Sequence, residues 1–162
     1  MKLFESDRIR LRKMTAEDIP LYHAWRTDME VMRTTNHYLD MYDAEETRQF
    51  VEQVILNAPA AKNYMIIDKK EEKAIGITSL IQIDDKNRNA EGIIDIGEKD
   101  FWGKGYGKEA LSLLLDYAFY EMNLHRVSLN VYAMNKRALA LYEKLGFQNE
   151  GCAREALFRE GR

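Results

Sequence analysis

Residues Phe101 to Ala110 read F-W-G-K-G-Y-G-K-E-A. An apolar run, Ile93-Ile94-Asp95-Ile96-Gly97, precedes them, and apolar residues at helical spacing follow from Lys108 to Met122. Strand, glycine turn and helix are therefore expected in that order. Glycines at alternate positions remove the side chains that would cover the turn's backbone. A helix beginning there presents unpaired N–H groups at the positive end of its dipole. Such a corner suits a phosphate or pyrophosphate. A plain flexible connection uses the same glycines.

Working outward, Arg8 to Met14 alternates charged and apolar residues and is expected to be a half-buried strand. Thr15-Ala16-Glu17-Asp18 starts a helix carrying Ile19, Tyr22, Trp25 and Arg26, with Pro20 tolerated in its first turn. Met32 to Met41 reads as irregular. Asp43 and Glu46 have capping-box spacing ahead of a helix striped by Phe50, Val54 and Ile55, which Pro59 closes. Strands are expected over 64–68, 74–83 and 90–98, joined by polar turns. After the glycine turn and its helix come a strand over 126–132, a short helix over 135–145 ended by Gly146, and a strand-like piece from Phe147. The result is one α/β domain spanning 1–162, with a single mixed, largely antiparallel sheet flanked by helices. Strand 90–98, helix 108–122 and strand 126–132 form a β-α-β unit, so those two strands should run parallel.

Composition narrows the function. The chain has 162 residues and a net charge of −3, which argues against a surface built for nucleic acid. The single cysteine, Cys152, allows no internal disulfide and fits a reducing compartment. His23, His37 and His125 lack ligand-like spacing, so no metal is expected. The charged start M-K-L-F-E-S-D-R is unlike a signal peptide, and no apolar run approaches the ~20 residues that span a bilayer. A cytoplasmic protein without a membrane partner is the expectation. The glycines also fail both nucleotide patterns. Gly103-x-Gly105-x-Gly107 places its third glycine one position early for G-x-G-x-x-G. Gly107-Lys108 is followed by Glu109, and Trp102 stands where a P-loop needs its first glycine.

Trp102-Gly103-Lys104-Gly105-Tyr106-Gly107 resembles the acyl-coenzyme A loop of the GNAT superfamily of N-acyltransferases, Q/R-x-x-G-x-G/A, except at its first position. Tryptophan there is common in the branch resembling ribosomal-protein N-terminal and spermidine acetyltransferases. Asn135-Lys136-Arg137-Ala138 with Leu141-Tyr142-Glu143-Lys144-Leu145-Gly146-Phe147 is similar to the family's second signature, and Glu150-Gly151 with Arg154 to that branch's continuation. The resemblance covers about Arg8 to the end and implies the acyl-CoA N-acyltransferase fold. Family members usually continue past a segment like Arg159 to Arg162 into a final strand. The sheet is therefore expected to lack that strand, or the sequence to be cut there, and an exposed edge would invite pairing into a homo-oligomer.

The resemblance implies acetyl-CoA as co-substrate, with its pyrophosphate on the backbone of Gly103, Lys104, Gly105, Tyr106, Gly107 and Lys108 beside Trp102. It also implies that the backbone of Ile94, Asp95, Ile96 and Gly97 pairs with the pantetheine amides. Gly97 fits a bulge or a close approach, and equally a plain strand end. Asn135 suits a pantetheine contact or a helix N-cap. A thioester is aminolysed only by a neutral amine, so a base must take its proton. Glu91 holds the position of the base in histone-acetylating relatives, with Glu98 or a water chain as the fallback. Tyr142 matches the general acid, and on helical spacing it also reads as a core tyrosine. For the acceptor end, Asn36, His37 and Tyr38, with Trp25 and Arg33, are candidates by location. The expected activity is direct N-acetyl transfer to a peptide N-terminus, a polyamine or a small amino metabolite. A non-catalytic acyl-CoA-binding module and a nucleotide-binding protein are the competing readings.

Overall fold

The computed structural model describes residues 2–162. Its sheet has five strands in chain order, β1 (Ile9–Lys13), β2 (Lys62–Asp68), β3 (Lys73–Asp84), β4 (Asn89–Ile96) and β5 (Arg126–Ser128). The first four run antiparallel and β5 joins β4 in parallel. Helix α4 (Tyr106–Asp116) makes the crossover and continues as a π turn over Tyr117–Glu121. It covers one face of the sheet, where Ile9, Leu11, Ile66 and Ile75 meet Ala110 and Leu113. The other face carries α1 (Ile19–Arg26), α2 (Met29–Thr35) and α3 (Ala44–Phe50), packed through Trp25, Val31 and Val51 on Met65, Ile67 and Ile77. Helix α5 (Lys136–Lys144) follows β5.

Several boundaries depart from the sequence reading. Helix α4 starts at Tyr106, two residues before the expected Lys108, because Gly105 at φ 84° is its N-cap. Part of the stretch read as irregular is α2, whose Asp28 cap accepts from the Glu30 N–H at 3.0 Å. The strand expected over 126–132 ends at Ser128, and no strand forms from Phe147 onward. Asp43 caps α3 through the Glu46 N–H at 2.8 Å, and the helical stretch closes in a π turn at Leu56, ahead of Pro59.

The short β5 shapes the molecule. Its rungs to β4 are Asn89 with Arg126, Ala90 with Val127 and Glu91 with Ser128. Beyond Glu91 β4 continues for five more residues along β3 alone, so the two parallel strands part. The gap opens into a cleft of about 2590 Å³ that runs from α1 and α2 past the glycine turn to α5.

Candidate active site

Alternation sorts the side chains of β4. Ile94 and Ile96 point to the α4 face, where they join its core. Glu91, Ile93, Asp95 and Gly97 therefore point to the side of α1. Gly97 shows this directly, since a Cβ built there would lie 2.1 Å from the Trp25 ring. The N–H groups of Gly97 and Glu98 both donate to the Ile75 carbonyl, at 2.9 and 3.1 Å, which is a bulge. Gly97 thus has both a bulge and a close approach, and the approaching group is an indole of the protein itself.

The glycine turn is braced from behind. Arg8 donates through Nε to Glu109 Oε1 at 2.8 Å and through Nη1 to the Lys104 carbonyl at 2.9 Å. Its guanidinium lies 4.1 Å from the centre of the Tyr106 ring. Trp102, which replaces the usual Gln or Arg, donates Nε1–H to the Ile96 carbonyl at 2.6 Å and so ties the turn to the end of β4. The first hydrogen bond of α4 runs from Glu109 N to the Gly105 carbonyl at 3.1 Å. The N–H groups of Tyr106, Gly107 and Lys108 precede it and carry no helical partner. Gly103 has φ 72° and open space where a side chain would stand. Gly107 has Leu141, Ile94 and Ile96 at ordinary contact distance around its missing side chain. The corner is a bare cradle of donors at a helix start, which fits a pyrophosphate.

Tyr142 lines the cleft from α5, and its ring stands edge-on to Phe147 at 5.9 Å. Burial pushes its hydroxyl up to about 12, and the charge of Asp95 adds to the effect. Among the described residues its hydroxyl makes no hydrogen bond. Asn135 caps α5, accepting from the Ala138 N–H at 3.2 Å, and lines the cleft as well.

The carboxylates differ sharply. Glu91 sits where β4 and β5 still pair, and its Oε1 accepts from Asn130 Nδ2 at 2.6 Å. Glu98 turns to Trp25 Nε1 at 3.3 Å and to Lys73 Nζ at 3.7 Å. Asp95 has no hydrogen-bond partner among the described residues, and its half-buried side chain lines the cleft. Desolvation alone pushes it up to about 7. Its charge bears on Tyr22, Tyr132 and Tyr142, so four titratable groups converge there. The sequence reading gave Asp95 a backbone role only. A lone acid inside the run Ile-Ile-Asp-Ile was the available signal, because such a group needs a reason to be there.

At the acceptor end, Asn36 and His37 line the cleft. The Asn36 carbonyl accepts from Arg159, and His37 packs edge-on against Tyr132 at 5.4 Å. Tyr38 is 79 % exposed and outside the lining, and Lys104 likewise stays at the surface. Arg33, also in the lining, is paired with Glu160 at 2.6 Å. Among the described residues there is no cluster of three metal-ligating side chains. There is also no helix long and apolar enough to cross a membrane.

Comparison with known proteins agrees with this architecture. The acetyltransferase (GNAT) domain profile matches residues 8–148. The uncharacterized N-acetyltransferase p20 of Bacillus licheniformis is 32 % identical over 164 residues, covering 100 % of this chain and 91 % of that protein. The crystal structure of spermidine N-acetyltransferase from Vibrio cholerae in complex with CoA and spermine superposes with a TM-score of 0.85 at 28 % identity, covering 97 % of this chain and 90 % of that one. A dodecameric structure of the Vibrio cholerae spermidine enzyme superposes with a TM-score of 0.78 at 28 % identity, covering 97 % and 89 %. Five strands with a split between the parallel pair, a glycine cradle at a helix start and a tyrosine on the following helix accord with those matches, and the chain belongs to the GNAT acetyltransferase family as an acetyl-CoA-dependent N-acetyltransferase.

Proposed function

We propose that the protein acetylates a small primary amine by direct transfer, with Asp95 collecting the amine proton and Tyr142 supplying the proton to the departing thiolate. The observation that carries this reading is the unpartnered Asp95 carboxyl in the cleft, within electrostatic reach of Tyr142. A base that titrates near neutrality takes a proton from an ammonium group without staying permanently protonated. A tyrosine held near 12 stays protonated at working pH and is ready to donate. In balanced form, the amine nitrogen bonds to the thioester carbonyl carbon and the carbon–sulfur bond breaks. One proton leaves nitrogen for Asp95, and Tyr142 gives one to sulfur.

The N–H groups of Tyr106, Gly107 and Lys108, with the open corner at Gly103, would hold the pyrophosphate, and Lys104 and Lys108 would add charge. The Gly97 N–H is occupied by Ile75, Asp95 pairs with Ile77 on β3, and the Ile96 carbonyl is taken by Trp102, which leaves the main chain of Ile94 as the partner for the pantetheine arm. Asn135 caps α5 and faces the same arm. Asn36 and His37 belong to the acceptor end.

Glu91 is the second candidate for the base. It shares the face of Asp95 and lies about 13 Å away, four residues along the strand. Its place at the closed end of the split, beside Asn130, favours it. Release of free coenzyme A thiol, followed over pH with a panel of amines, tests the transfer reaction. Asp95→Asn and Glu91→Gln then separate the two bases, since only loss of the true base lowers turnover by the full worth of a positioned base. A peptide N-terminus is the other acceptor class, and the same panel includes it. We also extend the oligomeric state of the Vibrio cholerae relative to this chain, and light scattering in solution tests that extension.

A further inference from the structure

The last turn of α1 carries a cation, Arg26, that no acid among the described residues neutralises. Arg26 is 7 % exposed, and its Nε and Nη1 are buried without a hydrogen-bond partner. Its guanidinium is held by aromatic rings, 3.8 Å from the centre of Tyr42 and 4.3 Å from that of Phe50. Those contacts orient the plane but leave its edge donors unused. Buried donors are nearly always satisfied, so two buried guanidinium nitrogens without a partner, on a residue that borders the cleft, need an explanation. Arg26 lines the cleft, and Tyr22, one helical turn before it, feels the charges of both Arg26 and Asp95.

The surroundings reinforce the sign. Arg33 and Arg159 line the same end of the cleft. Arg33 is bound to Glu160 at 2.6 Å, which leaves that acid committed. Arg159 donates to the Asn36 carbonyl and keeps a buried Nε without a partner. A polycation entering here would meet three guanidinium groups, of which Arg26 has no acid beside it among the described residues.

We infer that the acceptor is an amine that also carries an oxyanion, a carboxylate or a phosphate, which Arg26 binds while the amine lies at Asp95. A zwitterion of that kind matches the free acid and the free cation at once. A polyamine matches only the acid.

This inference rests on the reading of the cleft as the amine site, and the assay keeps the two apart. Coenzyme A release is measured with equal concentrations of amino carboxylates, amino phosphates, uncharged monoamines, and spermidine. Turnover of any of them upholds the transfer reaction. A kcat/KM at least tenfold higher for the amino carboxylates or the amino phosphates than for the matching monoamines upholds the oxyanion subsite and says which oxyanion it takes. Spermidine or plain monoamines at the top of the ranking overturn it. Arg26→Met is expected to raise the acceptor KM tenfold or more for oxyanion-bearing amines with little change in kcat, and Arg26→Lys to restore part of that loss. Because Arg26→Met removes a buried packing group, a variant-free check runs beside it. Carboxylates or phosphates lacking the amine should inhibit the wild-type enzyme competitively against the acceptor, while their neutral amide or alcohol counterparts should not. Equal inhibition by charged and neutral compounds overturns the proposal.

Discussion

Replacing Asp95 by Asn should make the protein more stable and less active, and both effects follow from one feature. The Asp95 carboxyl is desolvated and unpartnered, so burial lifts it from its ordinary 3.8 to about 7. At pH 8 the folded protein must carry that charge in a poor solvent. The interval between those two values, at about 1.4 kcal/mol per pH unit, bounds the cost at about 4 kcal/mol. Water entering the cleft screens part of it, which leaves about 1–3 kcal/mol. The sign follows from proton counts. Between pH 4 and 7 the native state holds the proton that the unfolded chain has released, so this group makes stability fall as pH rises, and the loss levels off above 7. Asparagine keeps the shape and removes the charge. Thermal unfolding at pH 8 should therefore show a melting temperature higher by about 3–10 °C, taking about 2–4 °C per kcal/mol for a domain of this size. At pH 4 the two proteins should melt nearly together.

Turnover should move the other way, down by about 10²–10⁴, the usual worth of a positioned base. The rise of kcat/KM through pH 7 should disappear with it. Two results would refute this reasoning. Stability curves that stay parallel from pH 4 to 8 would mean that Asp95 is not raised. An unchanged limb near pH 7 in the variant would mean that Asp95 is not the base.

Tyr142→Phe should lower kcat and leave coenzyme A affinity intact, measured by single-turnover kinetics and titration calorimetry. The wild-type rate should show no falling limb below about pH 10, because the hydroxyl is held near 12. Gly105→Glu places a side chain at φ 84°, costs about 1–2 kcal/mol in backbone strain, and sets its Cβ 3.3 Å from Arg8 Nη2, the group that braces the turn. It should abolish coenzyme A binding by calorimetry, and retained affinity would count heavily against the assigned cradle. Gly97→Ala would put a methyl 2.1 Å from the Trp25 ring and should destabilise the fold by about 1–3 kcal/mol in urea unfolding, because the indole has to leave the bulge.

The features legible in the sequence were those encoded in neighbouring residues. Glycines 103, 105 and 107 marked the turn, and the period-2 runs marked the meander because each strand is half-buried. Helix α2 was missed since Met29-Glu30-Val31-Met32-Arg33-Thr34-Thr35 has no clear apolar stripe, although Asp28 offered a cap. The alternation Val127, Leu129, Val131 suggested a full strand, yet β5 stops at Ser128. Pairing needs a partner, and β4 has already turned away. Contacts between distant segments left no local trace. Nothing near Gly97 announces Trp25, and nothing near Arg26 announces that it lacks an acid. Asp95 falls between these cases: its sequence setting was odd enough to flag, but only the packing shows that nothing neutralises it.

The split of the sheet links these observations. A strand deprived of its neighbour keeps main-chain groups unpaired, and within a cleft such groups are costly unless something binds them. One side of β4 is satisfied by β3, and on the side that β5 leaves only the Ile96 carbonyl has a partner, Trp102 Nε1. On the side away from β3, the main chain of Ile94 is left as a short open edge. An extended ligand with amides of its own completes that edge by the logic of an added strand. On that proposal its anionic end would fall at the start of α4, because the same Trp102 that closes the edge also fixes the glycine turn. On the reading proposed above, the geometry that weakens the sheet at β5 would also set the direction of the ligand, with its reactive end toward Asp95 and Tyr142.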